Sequence, residues 1–232
     1  MVKMSGRKIL VITPHPDDAE SGAGGTIAKW SEEGATVVLI VCTNGNKGTD
    51  DRSKSSSEIA EIRRREQADA AKILGITNVI FLDHDDQELH DNDAFRQELV
   101  REIRTYRPDV VVTIDPERRW IRHRDHFVTG RVALDAVFPY ARDHLAYPLM
   151  LDDGLEPHKV KEVYLWGSDE PDVFIDVDGT FDKKVDALYC HVSQMSTSRE
   201  DGLKRLRDRF SEYGWKVNAS VAEPFKLLRL GR

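Results

Sequence analysis

The sequence is poor in the features that mark a secreted scaffold, a membrane protein or a nucleic-acid binder. It has two cysteines, Cys42 and Cys190, in no metal-like spacing. They supply no disulfide framework and fit a reducing compartment, so a cytoplasmic location is expected. Long apolar runs are missing. The N-terminal Met-Val-Lys-Met-Ser-Gly-Arg-Lys leads into only about six apolar residues, too short for a signal-peptide core or a membrane span. Basic excess is missing too. Against 34 lysines and arginines stand 41 acids, a formal charge of −7, which argues against a general nucleic-acid binder. No repeat, low-complexity tract or clear linker interrupts the 232 residues. One α/β domain spanning 1–232 is therefore expected.

What is present alternates between two periodicities. Strand-like apolar runs occupy Lys8–Thr13, Thr36–Cys42, Asn78–Leu82, Asp109–Ile114 and Glu162–Trp166. Helical patterns occupy Gly24–Glu33, Ser57–Leu74, Ala94–Tyr106 and Asp125–Phe138. Gly34 and Gly75 read as helix stops, and Pro108 cannot continue the third helix. Apolar strands alternating with helices predict a doubly wound, mostly parallel sheet covered on both faces. The expected strand order is 3-2-1-4-5. The remainder reads as a C-terminal elaboration: a strand near Val173–Val177 and helices near Thr180–Val192 and Arg199–Tyr213. Residues 141–160 look irregular. That segment and the apolar tail Phe225-Lys226-Leu227-Leu228 are read as candidate subunit contacts.

Two clusters carry chemistry. Pro14-His15-Pro16-Asp17-Asp18 follows the first strand, and His123-Arg124-Asp125-His126 follows the loop after the fourth. In a doubly wound sheet, ligands bind at the carboxyl ends of strands where the order reverses. The order 3-2-1-4-5 brings these clusters together there, although over 100 positions separate them. Zinc accepts histidine nitrogen and aspartate oxygen, and a catalytic site takes three protein ligands. His15 and Asp18 are the candidate ligands of the first cluster, on a backbone stiffened by Pro14 and Pro16. Asp17 is then left as a carboxylate beside the ion, able to take a proton from water. Of His123 and His126, one can ligate while the other faces the substrate carbonyl.

Several weaker signals have competing readings. Gly22-Ala23-Gly24-Gly25 is not a dinucleotide fingerprint, because Ile27 takes the final glycine's place and nearby acids would repel phosphate. Close packing of a helix under the metal loop is the better reading. Glu66 interrupts the apolar stripe Ile59, Ile62, Ala70, Ile73, with Arg63 three positions before it. Either the two form a structural pair, or Arg63 reaches a polar substrate while Glu66 holds a loop. Asp86 is either part of a solvated acidic loop or at the active-site edge. Trp120 offers a face for a sugar ring or belongs to the core.

At these residues the chain resembles the PIG-L/LmbE-like zinc-dependent de-N-acetylases. The matching pieces are Pro14-His15-Pro16-Asp17-Asp18, Thr43-Asn44-Gly45-Asn46-Lys47-Gly48 and Ile62-Arg63-x-x-Glu66 running into Ala71-x-x-Leu74-Gly75. Asp86-x-x-Leu89, Pro108–Thr113, His123-x-Asp125-His126 and His191-x-Ser193-Gln194 follow in family order. The resemblance implies a Rossmann-like fold and removal of N-acyl groups, usually acetyl, from amino sugars. It implies His15, Asp18 and His126 as ligands to Zn²⁺, and Asp17 as general base. His123 would stabilise the oxyanion or protonate the amine, Asp125 would pair with His191, and Arg63 and Asp86 would hold sugar hydroxyls. A closed homo-oligomer, such as a hexamer, is expected from the same likeness. Two positions depart from the family pattern: Arg124 stands where many members have proline, and Ile121 where some have a hydroxyl-bearing aromatic. Hydrolysis of another N-acyl conjugate and a non-catalytic sugar- or metal-binding module are the rival readings.

Overall fold

A computed structural model describes residues 4–120 and 123–230; Ile121 lies outside them. Five parallel strands form in chain order: β1 (Lys8–Thr13), β2 (Thr36–Thr43), β3 (Asn78–His84), β4 (Val110–Ile114) and β5 (Glu162–Trp166). With β6 (Val173–Asp176) and β7 (Ala222–Arg229) they make one seven-stranded sheet of order β3-β2-β1-β4-β5-β7-β6. The expected 3-2-1-4-5 core is present, and β1 and β4 are neighbours in register, Ile12 opposite Thr113. The Thr113 hydroxyl donates to the carbonyl of Ile12 at 2.8 Å, clamping the two strand ends that carry the clusters.

Alternation along each strand feeds two cores. Ile9, Val11, Val37 and Leu39 pack under α1 (Asp18–Glu32), α2 (Ser56–Leu74), α6 (Phe181–Leu188) and α7 (Arg199–Gly214). Leu10, Ile12, Val38 and Ile40 pack under α3 (Asp93–Tyr106) and α4 (Arg124–Val137). Each such side chain contributes about 1.5–3 kcal/mol on burial. The long α2 is closed at both ends. Ser55 and Glu58 form a capping box, and Gly75 takes the left-handed conformation at φ 72°. A short helix, α5 (Leu149–Asp152), and a 3₁₀ turn at Tyr140–Arg142 occupy part of the segment read as irregular.

Two helices differ by several residues from the sequence reading. α1 begins at Asp18 rather than Gly24, so the glycines lie inside a helix. A Cβ on Gly22 would stand 2.2 Å from Trp166, and one on Gly25 2.9 Å from Val177. The glycines let α1 lie close against the sheet, as the packing reading proposed. The helix expected over Thr180–Val192 ends at Leu188 and resumes as a 3₁₀ turn at Val192–Gln194.

The tail Phe225–Leu228 is not a free subunit contact. It is the middle of β7, hydrogen-bonded between β5 and β6. Phe225 and Leu227 face the core while Lys226 is half-buried, a two-residue alternation that signals a strand. Within β7, Glu223 is fully buried and pairs with the equally buried Lys184 of α6 at 2.6 Å. Its two carboxylate oxygens also accept the Gly25 and Thr26 amides of α1, while Lys184 donates to the Ser21 carbonyl. This pair is the polar rivet joining β7, α6 and α1. Glu223→Ala should strip Lys184 of its partner and cost about 3–5 kcal/mol of stability, measured by urea unfolding. A loss below about 1 kcal/mol would show that the pair does not hold these elements together.

Candidate active site

The loop between β1 and α1 is held from three sides. The Thr43 amide donates to the Pro14 carbonyl at 2.8 Å, and Arg63 donates to the Pro16 carbonyl at 2.6 Å. The Asp17 amide donates to Gln67 at 3.3 Å. Asp17 itself sits at φ 97°, a left-handed conformation costly for a non-glycine residue. That backbone turns His15, Asp17 and Asp18 toward one side.

His15 is buried, 7% exposed. Its Nδ1 is 2.9 Å from Asp18 Oδ2. His126, in the first turn of α4, brings Nε2 to 3.1 Å from the same oxygen and 3.3 Å from His15 Nδ1. Three donor atoms from the ends of β1 and β4 thus meet within one small triangle. Tetrahedral zinc with bonds of about 2.0–2.1 Å needs donor atoms roughly 3.3–3.4 Å apart, so the residues fit a divalent ion with a modest opening. The far side of His15 fits as well. Nε2 stands 3.1 Å from both Asp125 Oδ2 and Asp86 Oδ1, the carboxylate backing that metal-bound histidines usually have.

Charge follows this geometry. Burial works against a charged His15, but hydrogen bonds to Asp125, Asp18 and Asp86 outweigh it and hold its pKa well above the usual value. Burial pushes Asp18 up, yet hydrogen bonds from His126 and His15 hold it far below the usual carboxylate range. Asp17 goes the other way. Burial and the neighbouring Asp18 carboxylate push it up to about 7, against the pull of Arg63. His123 is lowered by burial and by the His15 and His126 charges. As N-cap of α4 its Nδ1 accepts the Asp125 amide at 3.2 Å, so Nε2 of the neutral ring carries the proton.

The expected supports are rearranged. Asp125 does not pair with His191. It is fully buried, bonds His15, and accepts the Gln87 and Leu89 amides, folding the loop after β3 against the site. His191 lies on the opposite side, 3.7 Å from Glu20, which with Asp17 raises its pKa against burial. Neither Arg63 nor Asp86 lines a rim. Arg63 is 4% exposed and its guanidinium bonds Asp17 Oδ2 at 3.1 Å and the Gly45 carbonyl, while Asp86 is buried behind His15. The Arg63–Glu66 pair does not form. Glu66 instead accepts the Ser193 amide and hydroxyl, both at 2.7 Å. Trp120, 89% exposed, is not a core residue.

Two buried residues at the site escaped the sequence reading. Gln67 bonds both the Asp17 amide and Glu20, so the two tie α2 to the start of α1. The available signal was the spacing of Arg63 and Gln67, one helical turn apart on the same face. Beside Asp18 and His126 a cavity of about 380 Å³ opens, walled by residues of β5, α7 and the loops after β4 and β5.

If Asp125 orients His15 for an ion, Asp125→Asn should weaken zinc binding by about 10–100-fold while His15→Ala abolishes it. Competition against a chelator of known affinity reads both. Unchanged affinity in Asp125→Asn would remove it from the supporting shell.

Comparison with known proteins identifies the family. Residues 10–137 match the profile of the PIG-L family, described as GlcNAc-PI de-N-acetylase. The diacetylchitobiose deacetylase of Thermococcus kodakarensis is 35% identical over 188 residues, covering 81% of this chain and 70% of that protein. A probable N-acetyl-alpha-D-glucosaminyl L-malate deacetylase 2 of Bacillus cereus is 29% identical over 208 residues, covering 88% and 90%. The N,N'-diacetylchitobiose deacetylase structure from Pyrococcus horikoshii superposes with a TM-score of 0.91 at 32% identity, covering 96% of this chain and 84% of that one. The profile match spans both clusters and the strands that carry them, and on that ground the chain belongs to the PIG-L family.

Proposed function

We propose that the chain is a zinc-dependent hydrolase that removes the N-acetyl group of an N-acetylglucosamine-type sugar or sugar conjugate. The observation that carries the reading is the convergence of His15 Nδ1, Asp18 Oδ2 and His126 Nε2 beside an Asp17 that takes no part in the triangle. A zinc ion held by these three donors supplies a Lewis acid for the acetamide carbonyl and acidifies water.

The chain's own residues do the rest. Arg63 occupies Asp17 Oδ2, so Oδ1 is the atom that takes the proton of the attacking water. Gln67 and the strained backbone at Asp17 hold that carboxylate in place. His123 presents its Nε2–H toward the carbonyl oxygen and balances the charge that develops there. Asp17 then returns its proton to the departing amine, so one carboxylate serves as base and acid in turn. His191, against Glu20 on the other flank, steadies the charge of Asp17. Asp86 and Asp125 fix the ring of His15, and Arg63 acts through Asp17 rather than on sugar hydroxyls. Trp120 remains the exposed aromatic face on which a sugar ring can stack.

The reading includes a cytoplasmic location and a closed homo-oligomer. No described helix is long and apolar enough to cross a membrane. Phe138, Leu145 and Leu149 are large, exposed and clustered in sequence around α5, which supports that segment as the subunit contact. Light scattering at micromolar concentration should then show a multiple of 26.4 kDa, and a monomer would remove the assembly.

Acetate release from chitobiose-type and monosaccharide N-acetyl sugars, with and without chelator, tests the activity. Asp17→Asn should keep zinc and lower kcat by about 10²-fold or more, and His123→Ala by about 10²–10³. Near-normal turnover in zinc-loaded Asp17→Asn would sink the base assignment.

A further inference from the structure

One segment, Thr43–Gly48, has no role in the proposed chemistry beyond the Gly45 carbonyl. It forms the turn after β2 and touches both flanks of the site. On one flank the Gly45 carbonyl accepts Arg63, which holds Asp17. On the other flank the half-buried Asn46 meets the loop after β3. Its Oδ1 accepts the Asp86 amide at 3.1 Å, and its Nδ2 donates to Asp85 Oδ1 at 2.8 Å. The backbone of Asn46 is tied down in turn. Its carbonyl accepts the Ser56 hydroxyl at 3.1 Å, and its amide donates to Asn44 Oδ1 at 3.1 Å. One carboxamide thus grips two consecutive residues, with one acceptor and one donor in the order they need.

The loop it grips needs that hold. Asp83 and Gln87 both take left-handed backbone, φ 60° and 67°, which a non-glycine residue keeps only where its surroundings fix it. Asp125 fixes one end through the Gln87 amide. Between the two strained residues, Asp86 Oδ1 stands 3.1 Å from His15 Nε2 and has no further hydrogen-bond partner among the described residues. Its carboxylate is therefore placed by its backbone, and Asn46 holds that backbone. With Nδ1 reserved for an ion, His15 Nε2 carries the ring's one proton and faces Asp125 at 3.1 Å as well. A displaced Asp86 leaves the ring with one support in place of two. The exposed Lys47–Glu88 pair joins the same two loops at 2.6 Å but bonds neither Asp85 nor Asp86. We infer that Asn46 is a positioning residue for the metal centre. It sets Asp86 against His15 and, through that ring, the affinity of the His15–Asp18–His126 triangle for zinc. The inference rests on the zinc reading of that triangle.

Chelator competition on the full chain reads zinc affinity without turnover, and thermal melting checks that each variant folds. Asn46→Ala should weaken zinc about tenfold, the lower end of the loss for a group that supports a ligand from behind. In an Asp86→Asn background the same change should cost less than about twofold, because both act through one contact. Lys47→Ala, which loosens the same two loops at the surface, should leave affinity within about twofold of the parent. Asn46→Asp alone should also weaken zinc, since it sets a carboxylate against Asp85. Adding Asp85→Asn to it exchanges donor and acceptor and should restore the parent affinity. Parent affinity in Asn46→Ala, or an equal loss with and without Asp86→Asn, would overturn the inference and leave the metal triangle standing. Zinc held equally well after His15→Ala would instead overturn the triangle and, with it, the role of Asn46.

Discussion

The imidazole of His15 is the point on which the strand ends turn. Its two nitrogens face three carboxylates, Asp18 on one side and Asp86 and Asp125 on the other, all within about 3 Å. Buried acids at that density repel one another unless positive charge stands among them. Either a charged ring or a divalent ion meets that need, and His126 closes the triangle where the ion fits. The rest of the local structure serves this balance. Asp125 spends its remaining lone pairs on the Gln87 and Leu89 amides, which places Asp86. Removing one carboxylate therefore disturbs a loop as well as a charge.

A second anchor works on the opposite flank. The guanidinium of Arg63 gathers the Pro16 and Gly45 carbonyls and Asp17 Oδ2 into one contact. A Cβ on Gly45 would stand 2.4 Å from Arg63 Nη1, and the residue sits at φ 64°. The turn after β2 can close over the guanidinium because that residue has no side chain. Asp17 is thus poised by a cation on one oxygen, Gln67 on its amide, and Glu20 with His191 behind it. Its raised pKa comes from burial and Asp18, and the same burial makes Arg63 a necessary neighbour.

The glycines and the buried Lys184–Glu223 pair carry the C-terminal elaboration into the site. They seat α1 against β5, β7 and α6, and α1 begins with Asp18 of the His15–Asp18–His126 triangle. The elaboration also supplies His191, Ser193 and the α7 wall of the cavity. Residues after position 166 are for this reason part of the active-site architecture, although both motif clusters lie before it.

The sequence by itself determined the parallel order β3-β2-β1-β4-β5, because apolar strands alternating with helices admit few other arrangements. It also determined which residues meet. Pro14–Asp18 and His123–His126 end neighbouring strands, and chain order alone puts them at the crossover. Tertiary structure decided what each residue faces. Arg63 and Asp86 read as rim residues, since a charged side chain near a strand end is ordinarily solvated, yet ion pairs across loops bury both. His191 sits over 60 positions from Asp125, and no local pattern says which acid it meets. Packing gives it Glu20. The β7 strand was hidden by Glu223 and Pro224, residues that a short strand rarely carries, until Lys184 supplied the buried partner that makes Glu223 tolerable there. Local periodicity reports which segments form. Long-range charge pairing, invisible along the chain, reports where their polar side chains end up.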